Sequence, residues 1–176
     1  MKMKIQLTIE TACGEVITNQ EVAELERTDL QAETVGLTLV EAKTVLHKLQ
    51  EAIVAQQVAE YTADQRPCPS CHRVRACKGH HPLQFRTLFG KLSLDSVRFY
   101  QCPCEGQGRS SVSPLAELLT ERTTPELCYL ETKWAALISY GMAARVLTDV
   151  LPLDQPLHPM TLARQVAQVA ERSEAE

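Results

Sequence analysis

The sequence predicts an α+β chain in three parts: a β-hairpin with a long helix (1–65), a zinc-ribbon-like β-hairpin module (66–109) and a helical segment (110–176). Three observations carry this reading. The opening MKMKIQLTIE alternates apolar and polar residues, the period of a half-buried strand. Two close cysteine pairs, Cys68/Cys71 and Cys102/Cys104, bracket a stretch that itself reads as a hairpin. Beyond Gly106 the apolar residues recur at helical spacing, and nothing there reads as strand.

In the first part Met3, Ile5, Leu7 and Ile9 point one way and Lys2, Lys4, Gln6, Thr8 and Glu10 the other. The tetrapeptide ACGE supplies a turn, Val16 to Thr18 a short return strand, and an irregular acidic stretch runs on to Gly36. The helix signal is strongest from Thr38 onward, where Thr38 and Glu41 form a capping-box pattern. Ala42, Val45, Leu46, Leu49, Ala52, Ile53 and Gln56 then step at three and four residues and predict its apolar stripe, either a core face or a dimer seam. His47 lies beside that stripe and reads as a helix-surface histidine.

The two cysteine pairs have the layout of a zinc ribbon. Tetrahedral zinc takes four thiolates, carried as two pairs on tight turns. A proline follows the first cysteine of each pair, and the intervening hairpin lets the turns converge. Cys68, Cys71, Cys102 and Cys104 are thus the predicted ligands of a structural Zn2+, which would supply much of this small module's folding energy. The second pair is spaced C-x-C, so Cys77, His72, His80 and His81 are alternatives for the fourth position. Between the pairs, Gly90-Lys91 fits a two-residue turn with glycine first. The apolar phase slips from Leu92 and Leu94 to Val97 and Phe99, which predicts a bulge near Asp95-Ser96. Cys13 and Cys128 read as a turn residue and a helix residue.

Charge is divided unevenly. The net charge is −4, but residues 66–109 hold eight basic side chains against two acidic ones, leaving the rest of the chain at −10. Such a basic island faces polyanions, and Arg73, Arg75, Lys78, Arg86 and Arg98 are its candidate phosphate contacts. No apolar run is long enough for a transmembrane helix, and the N-terminus has no secretory pattern. A cytoplasmic location with no membrane partner is the expectation, and there cysteines favour metal or redox roles over disulfides.

In the last part, TTPELCYLETKWAALISYG starts with Thr124 as cap and Pro125 in the first turn and is expected to stop at Gly141. Leu127, Leu130, Trp134, Leu137 and Ile138 form its predicted buried face. A short helix from about Met142 to Leu151 carries Val146, Leu147 and Val150. After the proline-rich loop, a last helix from about Thr161 carries Leu162, Val166, Val169 and Ala170 on one face.

The run CPSCHRVRACKGHHPLQFRTLFGKLSLDSVRFYQCPC, with SPLAELLTERTTPELCYLETKWAALISYGMAARVLTDVLPLD after it, resembles the N-terminal region of bacterial ISKra-family insertion-sequence transposases. The opening MKMKIQLTIE and the later GLTLVEAK fit the same pattern. The resemblance implies recognition of double-stranded DNA at the element's terminal inverted repeats, ahead of a catalytic domain with an Asp-Asp-Glu triad and two divalent metals. It implies Cys68, Cys71, Cys102 and Cys104 as zinc ligands. It also implies a helix-turn-helix-like C-terminal segment, with Thr161, Arg164, Gln165, Gln168 and Arg172 on the exposed face of the recognition helix. The loop from Pro152 to Pro159 is longer than the turn usual in that motif.

The chain stops at Glu176, where that catalytic domain should begin, and Glu171, Glu174 and Glu176 fall where the helix dipole disfavours them. The expectation is a truncated or split product, inactive in transposition alone, with no catalytic residue and a catalytic divalent metal only in a full-length form. A second copy or a catalytic-domain polypeptide is a further candidate partner. Three rivals remain: a stand-alone zinc-dependent regulator binding DNA or protein, a zinc-dependent deaminase using CGE (Cys13–Glu15) with PCPSC, and a thioredoxin-like dithiol at CPSC.

Overall fold

The computed structural model describes residues 1–105, 111–153 and 155–175, with side chains described as far as Arg172. Its first element is an antiparallel hairpin of β1 (Lys2–Glu10) and β2 (Val16–Glu26), closed by Thr11–Glu15, in which the Thr11 amide donates to the Glu15 carbonyl at 2.8 Å. Burial alternates along β1 as its sequence predicts. The return strand is much longer than Val16–Thr18 and absorbs most of the stretch expected to be irregular. The acidic residues that resemble a loop are its outer face: Lys2 pairs with Glu24 and Lys4 with Glu21, both at 2.6 Å. Val22, Ala23 and Leu25 are buried on the strand.

The helix α1 (Leu39–Asp64) begins with the expected capping box, Thr38 accepting from the Glu41 amide and Glu41 accepting from the Thr38 amide. Arg27 bonds the Thr34 and Gly36 carbonyls and reaches Glu41 at 2.6 Å, fastening the preceding loop to the helix start. That guanidinium, joined by hydrogen bonds from Thr38, lowers the Glu41 carboxyl to about 2. The buried side of α1 differs from the predicted stripe. Leu46 and Ile53 stay exposed at 38% and 37%, whereas Val54, Val58 and Tyr61 meet the core. The helix packs on both β2 and β4, so two directions compete for its surface and no single stripe is buried throughout.

The second sheet runs β3 (Cys77–Thr87), β4 (Gly90–Tyr100) and β5 (Ser111–Val112), all antiparallel. Thus a short strand does follow Gly106, contrary to the helical reading of that region. Its partner is Phe99–Tyr100, which no local pattern announces. Thr87 pairs with Gly90, so the two turn residues are Leu88 and Phe89, not Gly90-Lys91. The buried Thr87 hydroxyl closes this turn, accepting from the Phe89 amide and donating to the Gly90 carbonyl. Gly90 has φ +119, and a Cβ there would collide with the His47 ring. His47 is accordingly more than a surface residue: it is half-buried, and its Nδ1 donates to the Phe89 carbonyl at 2.8 Å. Pairing continues unbroken through Asp95 and Ser96, and the register shift falls instead on β3, at Lys78. Ser96 is fully buried, its hydroxyl 3.1 Å from that of Ser113, so a polar residue continues the apolar phase of β4.

Two cores follow. Leu83, Leu92, Leu94 and Leu115 form one, with Val54, Val58 and Tyr61 of α1 and with Ala116 and Leu119 in and after α2 (Pro114–Leu118). This core draws on all three sequence segments, so the β3–β4 hairpin is not left to zinc alone for its burial. The other core joins α3 (Pro125–Leu137), α4 (Tyr140–Val150) and α5 (Pro159–Ala175) around Ala143, Leu147 and Leu162. Helix α3 stops at Leu137 rather than Gly141, because Ile138 is extended and Ser139 caps α4. Leu137 and Val150 are exposed instead of buried. The charge arrangement at the end of the last helix involves Glu174 and Glu176, which lie outside the described side chains, and Arg109 of the basic island lies outside the described residues. No helix among the described residues is long and apolar enough to cross a membrane.

Candidate metal centre and its basic surround

Two tight turns bring the cysteine pairs together. In the first, the Cys68 amide donates to the Arg73 carbonyl at 2.9 Å and the His72 amide to the Cys68 carbonyl at 2.8 Å. His72 sits at φ +57, the left-handed conformation that lets the chain double back. A bridge between Pro67 and Val74 then leads into β3. In the second, Pro103–Glu105 forms a single 3-10 turn, with the Glu105 amide on the Cys102 carbonyl and the Glu105 carboxylate accepting from the Cys102 amide at 3.2 Å. C-x-C spacing suffices because the carboxylate of Glu105 closes the turn.

The four sulfurs of Cys68, Cys71, Cys102 and Cys104 all lie within 4.8 Å of one another, and all four thiols are free. Cys68 and Cys104 are 3.5 Å apart; Cys71 and Cys102, and Cys102 and Cys104, are each 3.4 Å apart. A disulfide is far shorter, about 2.05 Å. A zinc tetrahedron with Zn–S near 2.3 Å has edges of about 3.8 Å, so the cluster is close to the size a zinc ion requires. The Arg73 amide, with help from the neighbouring thiols, lowers the Cys71 thiol to about 7, while those same thiols push Cys104 up. Four adjacent sulfurs do not hold four negative charges without a cation among them, and a divalent ion relieves that conflict. Cys68 and Cys102 are buried and Cys71 and Cys104 exposed, which leaves one side of the cluster facing water. The residues present therefore fit a structural metal site made of four cysteine thiolates.

None of the alternatives for the fourth position joins this group. Among the described residues, His72, Cys77, His80 and His81 lie outside the cluster. Cys13 is in the β1–β2 turn, with Sγ 3.0 Å from the Thr11 hydroxyl, and does not combine with Cys68 and Cys71. Cys128 accepts a hydrogen bond from Gln165 across α3 and α5 at 3.1 Å.

The basic residues divide into two kinds. Arg73, Lys78 and Arg98 are exposed, with Lys78 stacked over the Tyr100 ring at 5.6 Å. Arg75 and Arg86 are not part of that surface. Arg75 is 8% exposed, and its guanidinium donates to the Pro67 carbonyl, bracing the first cysteine turn. Arg86 is paired with Glu131, a fully buried carboxylate of α3, and so ties the sheet to the helices. Burial pushes the Glu131 carboxyl up while Arg86 pulls it down, and burial prevails. On α5, Thr161, Arg164 and Gln168 are exposed, and Arg172 is half-exposed and paired with Glu121. Gln165 is the exception to its expected face: it is 9% exposed and spent on Cys128.

Comparison with protein-family models, with curated proteins and with solved structures found no match.

Proposed function

We propose that this chain is a DNA-binding module of the kind that recognises the terminal inverted repeats of an insertion sequence, the DNA-binding portion of a transposase. In this reading a structural Zn2+ on Cys68, Cys71, Cys102 and Cys104 holds a ribbon that presents Arg73, Lys78 and Arg98 to the phosphate backbone. The observation that carries it is the junction of the two features: exposed Arg73 belongs to the same tight turn as Cys68 and Cys71, its carbonyl accepting from the Cys68 amide at 2.9 Å. Phosphate contacts position a protein without reading sequence. Base readout falls to α5, whose outer face offers Thr161, Arg164 and Gln168 in a three-helix, helix-turn-helix-like cluster. Arg172, at the end of that face, is paired with Glu121.

Fluorescence anisotropy of a labelled duplex tests this. Three phosphate contacts predict a slope of log affinity on log salt of about −3, and Arg98→Ala lowers its magnitude by about one. Chelation of zinc abolishes binding. Binding that is absent at low salt, or that survives chelation unchanged, sinks the proposal. A duplex carrying an inverted repeat should outcompete a scrambled one in the wild type but not in Arg164→Ala.

A further inference from the structure

We propose that Cys77, His80 and Asp95 form a reactive-thiol site that exchanges with low-molecular-weight disulfides, making Cys77 a site of reversible S-thiolation. Cys77 Sγ lies 3.5 Å from His80 Nε2, and His80 Nδ1 lies 2.8 Å from Asp95 Oδ2. The order is nucleophile, base, orienting carboxylate, and the three belong to a part of the basic island that the metal centre does not use. An ionised carboxylate only accepts, so the hydrogen of the neutral imidazole sits on Nδ1. Nε2 then presents its lone pair to the thiol. The Gly79 carbonyl, 3.8 Å from Sγ, is a longer second acceptor.

The bulge creates this arrangement. In a regular strand, residues three apart face opposite ways. The extra residue at Lys78, with Gly79 at φ +155, restores Cys77 and His80 to a common side. His80 pairs with Val97 and Pro82 with Asp95, so Asp95 stands diagonally across from His80, within reach of an imidazole.

All three side chains are open to solvent, His80 at 56% and Asp95 at 65%. Acyl transfer would demand donors fixed around a developing oxyanion, whereas disulfide exchange needs only a thiolate with access to a sulfur. In the step, the Cys77 thiol gives its proton to His80 Nε2 and the thiolate attacks one sulfur of the disulfide. A bond forms between Sγ and that sulfur as the original S–S bond breaks, its electron pair leaving with the second sulfur. That departing thiolate takes the proton back from the imidazolium. The Cys77 sulfur is oxidised and the leaving sulfur reduced, so no other oxidant is needed. Asp95 acts as a positioning residue, through the tautomer and orientation of His80. The proposal is independent of nucleic-acid binding.

The test treats the chain, supplied with zinc, with 5,5′-dithiobis(2-nitrobenzoate) at neutral pH. Timed samples are quenched and blocked, and the rate at each cysteine is read by peptide mass spectrometry. Exposed Cys13, far from this site in sequence, is the internal reference. His80→Gln should cut the Cys77 rate relative to Cys13 by about tenfold or more, and Asp95→Ala by less. An unchanged ratio in both variants overturns the proposal. Loss of fold would act in the opposite direction, accelerating buried Cys68 along with Cys77. A His80→Gln protein in which Cys68 reacts quickly is therefore set aside, and Asp95→Ala decides: a slower Cys77 supports the site, an unchanged one removes it.

Discussion

The hairpins β1–β2 and β3–β4 are of similar length, yet they are held by different forces. In the first, Met3, Ile5, Leu7 and Ile9 are only half-buried, and the outer face is a ladder of Lys2 and Lys4 against Glu21, Glu24 and Glu26. In the second, Leu83, Leu92, Leu94 and Phe99 are buried, α1 and α2 cover one side, and the cysteine turns clamp the open end. The first hairpin is held by its own ladder and by α1 against β2, where Val22, Ala23 and Leu25 are buried. The second is also specified by partners from elsewhere in the chain: α1, α2, β5, the segment 122–124 and Glu131 beside Arg86, and the cysteine turns.

The sharpest way to break this contrast is to remove the clamp. Cys102→Ser, or chelation, should abolish stoichiometric zinc and unfold the cysteine turns, because structural zinc in small modules contributes on the order of 10 kcal/mol. Metal analysis with hydrogen exchange checks this, and protection should be lost around 66–76 and 100–105 while β1–β2 keeps its own. Equal loss in both hairpins would mean that they unfold as one unit.

A smaller effect separates the two apolar faces. Leu92→Ala removes a side chain that is 3% exposed, and should cost about 3 kcal/mol in urea denaturation. Leu7→Ala, at a half-buried position, should cost about 1 kcal/mol. Comparable values for the two would show that β1 is better packed than its exposure indicates.

The least effect is expected on the charged ladder. Lys4→Gln removes pairs to Glu21 and Glu24 in which the lysine itself is half-exposed, and should shift the denaturation midpoint least of the three, an effect that vanishes in high salt. A larger loss would show that the ladder, not the apolar face, sets the β1–β2 register.

The expectations that hold rest on local order: the period of β1, the Thr38–Glu41 capping box, the cysteine pairs and the Thr124–Pro125 start of α3. Each is settled by residues a few positions apart, where backbone geometry leaves little choice. The errors share the opposite origin. Glu21 and Glu24 look like loop until the lysines opposite them are known. Arg75, Arg86 and Gln165 look like surface until Pro67, Glu131 and Cys128 are found beside them. Gly90 looks like a turn residue, but its lack of a side chain makes room for His47.

The amino-acid order alone therefore established most of the larger elements, the four candidate metal ligands and a basic island in an acidic chain. Folding decided which cations of that island reach solvent. It also decided which way α1 turns its apolar side, and which histidine meets Cys77 and Asp95. The reason is physical: propensity, capping and turn chemistry act over a few residues, whereas burial and ion pairing depend on distances that exist only once the chain has closed on itself.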